Sequence, residues 1–349
     1  MKNIKLSDIK KLGRAYFIKD VLWLGLSGTG VEFMTDATTL TLTLLGDNRA
    51  TDEGNQETAR LGVFSDGVRI HDMLMDKKEE KVTLSPDGSL HTFRIMKLSE
   101  CAMSVIGIKA IEVNEDALIK EAPERALKIE FIGDSITCGY GVDMEDLNST
   151  FTTATEDCSK AYALRTASKL NADHSLVSFS GYGIITGYTD DNIKREDQLV
   201  PTYYEKCGFS YSTSPDGPAP QDVLWDFNQF VPDIVVINLG TNDHSYCQDF
   251  PERHKEYHDE YINFLRTVRG HNPRAFILCV LGLMPVNNYK TLERAVTDYK
   301  KLTRDTEIDV MEIPVQTPEE GLVTDYHPTE RSHERAAMLV SDRIAQILA

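Results

Sequence analysis

No apolar run in this 349-residue sequence approaches the roughly 20 residues needed to cross a bilayer as a helix. The longest lies near positions 276–286, and the early stretch "VLWLGL" at 21–26 has neither the length nor the flanks of a signal peptide. The expected location is therefore the cytoplasm. Basic residues are in deficit, 37 Lys and Arg against 55 Asp and Glu, which leaves a net charge of −18. That field repels nucleic acid and anionic membrane, so neither is an expected partner. The six cysteines (Cys101, Cys138, Cys158, Cys207, Cys247 and Cys279) show no CxxC spacing. They read as reduced thiols, which excludes a disulfide framework and a thiolate zinc site. No internal repeat or low-complexity segment is evident.

What is present falls into two halves with different patterning. Up to about position 115 the chain reads as short strands and turns. "TLTLTLL" at 39–45 alternates with period two, and Ser65-Asp66-Gly67 and Pro86-Asp87-Gly88 supply turn chemistry. This predicts a β-sandwich over 1–120, followed by a charged, proline-containing hinge at 114–125. From Leu127 onward, continuous apolar runs at 127–132, 175–180, 233–239, 275–281 and 308–313 alternate with helical stripes. Such runs predict a parallel sheet covered by helices on both faces, an α/β domain spanning 126–349. Thr153 and Glu156 have the spacing of a capping box ahead of the first helix. Tyr257, Tyr261, Phe264, Leu265 and Val268 form one apolar helical stripe, and Leu292, Ala295, Val296, Tyr299 and Leu302 another.

Ligands of open parallel sheets bind beyond the carboxyl ends of the strands. Four polar clusters fall there: "GDS" at 133–135, "SFSGYG" at 178–183, "NLGTND" at 238–243 and "TDYHP" at 324–328. Together they supply the parts of a serine esterase. Ser135 is the candidate nucleophile and His327 the base, since neutral imidazole with an ordinary pKa near 6.5 suits that task. The backbone N–H groups of Ser135 and Gly181 and the side-chain amide of Asn242 are the candidate oxyanion donors. Asp134 and Asp243 read as residues that stiffen the loops. His254 and His258 stand four apart, but Lys255 occupies the place where a zincin needs glutamate, so they read as a solvated helix face.

These four blocks, in this order, resemble those of the SGNH (GDSL-type) hydrolases. "GDSITCGYGV", "STFTTATEDCSKAYALRTASKLNAD", "WDFNQFVPDIVVINLGTND" and "DYHPT" narrow the resemblance to carbohydrate esterase family 2. The resemblance implies a three-layer α/β/α hydrolase domain behind a jelly-roll-like β-sandwich, with no metal and no cofactor. The superfamily pattern places an aspartate three residues before the histidine; position 324 is threonine here, and Asp325 lies only two before His327. In carbohydrate esterase family 2 this spacing implies a Ser–His dyad whose histidine is oriented by a main-chain carbonyl, matched here to Tyr326. Asp325 is then either a weak third member or a substrate contact.

The expected activity is removal of O-acetyl groups from xylan- or mannan-type oligosaccharides through an acetyl-enzyme. Trp225 and Tyr188 are candidate sugar contacts, Tyr188 belonging to a long Gly-, Pro-, Ser- and Tyr-rich segment that also holds Tyr203, Tyr204 and Tyr211. Two other readings compete: an SGNH-type lipase, lysophospholipase or thioesterase, and a carbohydrate-binding protein with an idle esterase site. The sequence leaves a homo-oligomer open.

Overall fold

A computed structural model describes residues 1–144, 147–215 and 217–349. The chain divides into two compact units. The first comprises Met1–Arg125, Thr152–Glu156 and Lys206–Trp225; the second comprises Ala126–Phe151, Asp157–Glu205 and Asp226–Ala349. Two stretches from the second half of the sequence thus belong with the β-rich unit.

The first unit is built from two antiparallel sheets. In one, β3 (Tyr16–Ile18), β4 (Val21–Leu24), β11 (Ile106–Val113), β6 (Leu40–Gly46) and β9 (Glu79–Leu84) lie in that order, with β1 (Lys2–Ile4) also paired to β11. In the other the order is β12 (Ile119–Glu121), β5 (Gly30–Thr35), β10 (His91–Lys97), β7 (Arg60–Ser65) and β8 (Val68–Leu74), with β2 (Lys10–Leu12) on β5. Period-two alternation points Leu40, Leu42 and Leu44 inward, where they join Val31, Phe33, Leu61, Val63, Phe93 and Ile95 in one buried cluster drawn from both sheets. The β7–β8 hairpin turns through Asp66 and Gly67, both with positive φ (47° and 84°), as a two-residue turn matched to strand twist requires.

Two expectations fail in this unit. The charged stretch read as a hinge contributes β12, which pairs with β5, while Arg125 bonds Glu32 on β5. Burial of Glu32 raises its pKa, but the guanidinium groups of Arg125 and Arg94 outweigh that and hold it down at about 2. The segment is therefore a sheet edge with its own ion pairs. The proposed capping box also fails: the Thr153 hydroxyl donates to the carbonyls of Gln56 (3.1 Å) and Thr58 (2.6 Å), and Glu156 accepts from the Glu100 N–H (2.7 Å). Both residues tie their short segment to the β unit, and the following helix starts later without a side-chain cap.

The second unit holds a five-stranded parallel sheet in the order β14 (Ala172–Ser178), β13 (Leu127–Gly133), β15 (Ile234–Asn238), β16 (Phe276–Gly282) and β17 (Ile308–Ile313). β14 begins three residues earlier than its apolar run suggests, because Ala172, Asp173 and His174 pair in register with Leu127, Lys128 and Ile129. The helices are α1 (Ser135–Cys138), α2 (Tyr162–Lys169), α3 (Val200–Tyr203), α4 (Thr241–Cys247), α5 (Pro251–His271), α6 (Tyr289–Thr303) and α7 (Glu330–Leu348). The expected α5 stripe is buried; in α6 Leu302 instead lies 65% exposed, one residue short of the helix end. Strand order reverses at β13, the first strand of this unit in the chain and the second from one edge of the sheet. A crevice forms at such a switch point because neighbouring strands send their connections to opposite faces. Ser135 follows β13 and Asn242 follows β15, its immediate neighbour.

Candidate active site

β13 delivers Ser135 directly into the first position of α1. Asp134 caps this short helix, its carboxylate accepting the Ile136 N–H at 3.0 Å. A strand-to-helix transition this abrupt demands close packing: a Cβ on Gly133 would come within 2.0 Å of Thr137 Oγ1. The Ser135 hydroxyl lies 2.7 Å from Nε2 of His327. Nδ1 of the same ring lies 3.2 Å from the Thr324 carbonyl. A carbonyl only accepts, so Nδ1 carries the hydrogen and Nε2 presents its lone pair to the serine O–H. This is the tautomer a general base needs.

The orienting carbonyl belongs to Thr324, which corrects the expectation of Tyr326. Residues 324–326 form a single tight turn in which Asp325 (φ 51°, ψ 31°) and Tyr326 (φ 62°) adopt left-handed backbone. That turn folds His327 back so that its N–H also bonds Thr324 O, at 3.0 Å. The Tyr326 carbonyl points elsewhere and accepts from Gln316 Nε2 at 2.8 Å. Two consecutive non-glycine residues in this conformation cost about 1–2 kcal/mol each, strain of the kind that gathers at functional sites.

Burial pushes the His327 pKa down to about 4, and the Thr324 carbonyl and the Asp325 charge oppose that shift. The imidazole is thus neutral across the physiological range. The same Thr324 carbonyl and Asp325 charge favour its cation when a proton arrives. Behind it His333 is fully buried in the first turn of α7; its Nδ1 accepts the Tyr162 N–H at 3.2 Å, and burial, then the proximity of His327, hold its pKa down at about 3.

The oxyanion candidates converge through a chain of hydrogen bonds. Asn242 Nδ2 donates to the Tyr182 carbonyl at 2.8 Å and lies 3.4 Å from Asp134 Oδ2. The amide therefore joins the Ser135 turn to the loop that carries Gly181, with one of its two hydrogens only weakly engaged. Gly181 has φ +81° with open space where a Cβ would stand, and among the described residues its N–H meets no acceptor. Asp243, fully buried, accepts the N–H groups of Ile184 (2.9 Å) and Ile185 (2.7 Å) and shapes that loop from below. Burial raises its pKa, against those hydrogen bonds, and burial likewise raises that of Asp134.

Tyr188 is placed beside this loop, its N–H donating to Gly181 O at 2.7 Å, and its side chain is 59% exposed. Trp225 does not meet its expectation. It belongs to the first unit, is only 7% exposed, and packs with the Arg14 guanidinium 5.5 Å from its ring, so it offers little open face for a sugar. Tyr204 is buried against Glu130 (2.9 Å) and Tyr211 belongs to the first unit. His254 and His258 are hydrogen-bonded to Gln248 O (2.8 Å) and Asp259 (2.8 Å), in a cavity of about 600 Å³ between α5 and α6.

Sequence reasoning missed Tyr140. Its ring stacks on Phe151 (centroids 3.8 Å apart, planes at 5°) and covers the His327 ring at 4.4 Å, and its hydroxyl donates to Asp325 at 2.9 Å. The available signal was the pair of glycines flanking it.

Comparison with known proteins identifies the family. The model of the GDSL-like Lipase/Acylhydrolase family matches residues 131–335, more than half of the chain. The chain is similar to an acetylxylan esterase / glucomannan deacetylase of Cellvibrio japonicus, with 26% identity over 347 residues covering 97% of this chain and 89% of that protein. It is also similar to the cellulase/esterase CelE of Acetivibrio thermocellus, 30% identical over 252 residues, which make up 71% of this chain but only 29% of CelE. Among solved structures, a family two carbohydrate esterase from Clostridium thermocellum in complex with cellohexaose superposes with a TM-score of 0.83 at 25% identity, covering 97% and 98% of the two chains.

Proposed function

Because the chain belongs to the GDSL-like lipase/acylhydrolase family, we propose that it is a carbohydrate esterase that removes O-acetyl groups from xylan- or glucomannan-type oligosaccharides. The observation that carries the reading is the Ser135–His327 pair, 2.7 Å apart at the carboxyl end of β13, with the imidazole tautomer set by Thr324. The likeness to an acetylxylan esterase / glucomannan deacetylase along nearly the whole chain supports the substrate class.

In this reading Ser135 Oγ attacks the acetyl carbonyl carbon while His327 Nε2 takes the hydroxyl proton. The N–H groups of Ser135 and Gly181 receive the oxyanion, joined by the Asn242 hydrogen that leaves its weak contact with Asp134. Collapse breaks the bond between carbonyl carbon and sugar oxygen, and His327 returns its proton to that oxygen, releasing the alcohol. Water, deprotonated by His327, then attacks the acetyl-enzyme; acetate leaves and Ser135 regains its proton. Tyr188 stacks on the sugar ring beside Gly181, and Asp325, exposed at the same mouth, lies within reach of sugar hydroxyls. The cytoplasm is part of the proposal, with imported oligosaccharides as substrates. Six free, buried thiols accord with a reducing compartment.

Acetate release from acetylated xylo- and manno-oligosaccharides, by the native chain beside Ser135→Ala and with EDTA present, tests the reading. Release that survives EDTA and is lost in the variant supports it. Hydrolysis confined to esters of long acyl chains, or sugar binding without turnover, overturns it.

A further inference from the structure

We propose that Tyr140 is a positioning residue for His327: backed by Phe151 and tied by its hydroxyl to Asp325, its ring holds the imidazole plane so that Nε2 stays on Ser135. The inference rests on the esterase reading and extends it to the part a carboxylate plays in a triad. Among the described residues no carboxylate is hydrogen-bonded to the ring nitrogens, although the Asp325 charge acts on the ring from nearby. The hydrogen bonds of His327 run to Ser135 and to Thr324, and none joins its imidazole to the Asp325 carboxylate. The hydrogen bond of Nδ1 to the neutral Thr324 carbonyl, at 3.2 Å, is at the long end for an N–H···O contact and leaves rotation about the ring's attachment weakly restrained.

Tyr140 supplies the missing restraint from the face. The three rings form a stack, Phe151 lying nearly parallel to Tyr140 at 3.8 Å and His327 tilted by 35° at 4.4 Å. A phenol in this place could still swing, but its hydroxyl is anchored on Asp325 at 2.9 Å. Asp325 is in turn held in left-handed backbone two residues before His327. The anchor and the base therefore belong to one turn, and Tyr140 clasps that turn from outside. When Nε2 takes the serine proton, the new cation faces an aromatic ring whose hydroxyl leans on a carboxylate, a favourable electrostatic contact.

The local sequence is built for this placement. Gly139 and Gly141 on either side of Tyr140 both have positive φ (80° and 65°). A Cβ on Gly139 would meet Asp157 O at 2.5 Å, and one on Gly141 would press on Thr324 Cγ2 at 3.0 Å. Glycine here lets the backbone come close to the histidine turn and present the side chain between them.

The competing role for an aromatic at this mouth is a sugar platform. The two are separated by assaying Tyr140→Leu, Tyr140→Phe, Asp325→Asn and the Tyr140→Phe/Asp325→Asn double variant, with the native chain and Ser135→Ala as references. p-Nitrophenyl acetate, which has no sugar, is compared with an acetylated xylo-oligosaccharide. The rate of Ser135 phosphonylation by a small neutral phosphonate ester reads the dyad alone. We expect Tyr140→Leu to lower kcat on both esters, and the phosphonylation rate, by about 10- to 100-fold with KM nearly unchanged, as misplacement of a catalytic group does. Tyr140→Phe keeps the ring and folds even where the leucine variant does not. It should lose less, and the double variant should lose no more than the worse single one, because Tyr140→Phe removes the tie that Asp325→Asn weakens by taking the charge from its acceptor. A loss confined to KM for the oligosaccharide, or full additivity in the double variant, overturns the proposal. If Ser135→Ala retains native turnover, the esterase reading itself fails. Nitrogen-15 NMR of the His327 ring then still decides the positioning role: ring signals identical in the native chain and Tyr140→Leu would exclude it.

Discussion

The Thr324 carbonyl accepts two hydrogen bonds from His327, one from the backbone N–H at 3.0 Å and one from ring Nδ1 at 3.2 Å. One main-chain oxygen thereby sets both the turn that carries the base and the tautomer of the base. A neutral acceptor cannot stabilise imidazolium as a carboxylate does, so the rate depends on how well the ring is held.

Replacing Ser135 or His327 by alanine removes the reacting pair. Acetate release is expected to fall by about 10⁴-fold or more in either variant, and the double variant should be no worse, since the two act as a unit. Steady-state kinetics on one acetylated oligosaccharide, with circular dichroism to show intact folding, checks this.

The pH dependence follows from the depressed pKa of His327. Burial favours the neutral form, so the base is available well below its ordinary value near 6.5, down to about 4. The kcat/KM profile should stay flat between about pH 6 and 8 and lose activity only on the acid side of about pH 5. For folding, the sign is the usual one for a depressed group: its stabilising contribution is present above about 6.5 and is lost as pH falls towards 4. His333, held down at about 3, adds in the same direction. The raised pKa values of Asp134 and Asp243 act oppositely, favouring the fold at lower pH. An acid limb centred near 6.5 for kcat/KM would contradict the burial argument.

Asn242→Ala removes the amide that links Tyr182 O to the Ser135 turn, and with it the hydrogen that is held only weakly at 3.4 Å by Asp134 and is proposed to turn to the oxyanion. A loss of about 3–4 kcal/mol of transition-state stabilisation is expected, read as a 10²- to 10³-fold drop in kcat with little change in KM.

Asp243→Asn tests the loop from below. Oδ1 accepts the N–H groups of both Ile184 and Ile185, and Oδ2 lies 3.1 Å from the Ile184 N. An asparagine that keeps Oδ1 turns an NH2 donor towards the Ile184 N–H in place of Oδ2, and an unsatisfied buried donor costs about 1–3 kcal/mol. Chemical denaturation should show that loss, with kcat reduced because Gly181 sits on the same loop.

Tyr188→Ala should raise KM for acetylated oligosaccharides several-fold and leave p-nitrophenyl acetate hydrolysis unchanged. The proposed role gives its exposed side chain, on a residue whose N–H is bonded to Gly181 O, a contact with sugar and none with the reacting atoms. Parallel kinetics on the two substrates decide it.

Local pattern was enough to identify the sheet, its strands and the four polar clusters at their ends. Apolar periodicity and turn residues act over a few neighbours, and "GDS", "GTND" and "DYHP" declare their chemistry by residue type. What lay outside the sequence were relations between distant positions. Thr324 replaced Tyr326 as the orienting carbonyl because two left-handed residues turn the chain back on itself, a conformation that no residue type there announces. Thr153 and Glu156 have the spacing of a helix cap, yet they bond Thr58 and Glu100, in segments flanking strands about a hundred and about fifty residues away, the competing partners being fixed only on folding. Trp225 was an aromatic of unknown exposure until packing buried it. Residue types and their spacing thus determined which reaction this chain is equipped for. Tertiary structure alone decided how the base is held, because Tyr140, Phe151, Asp325 and His327 meet only when the loops after β13 and after β17, far apart in sequence, close on one another.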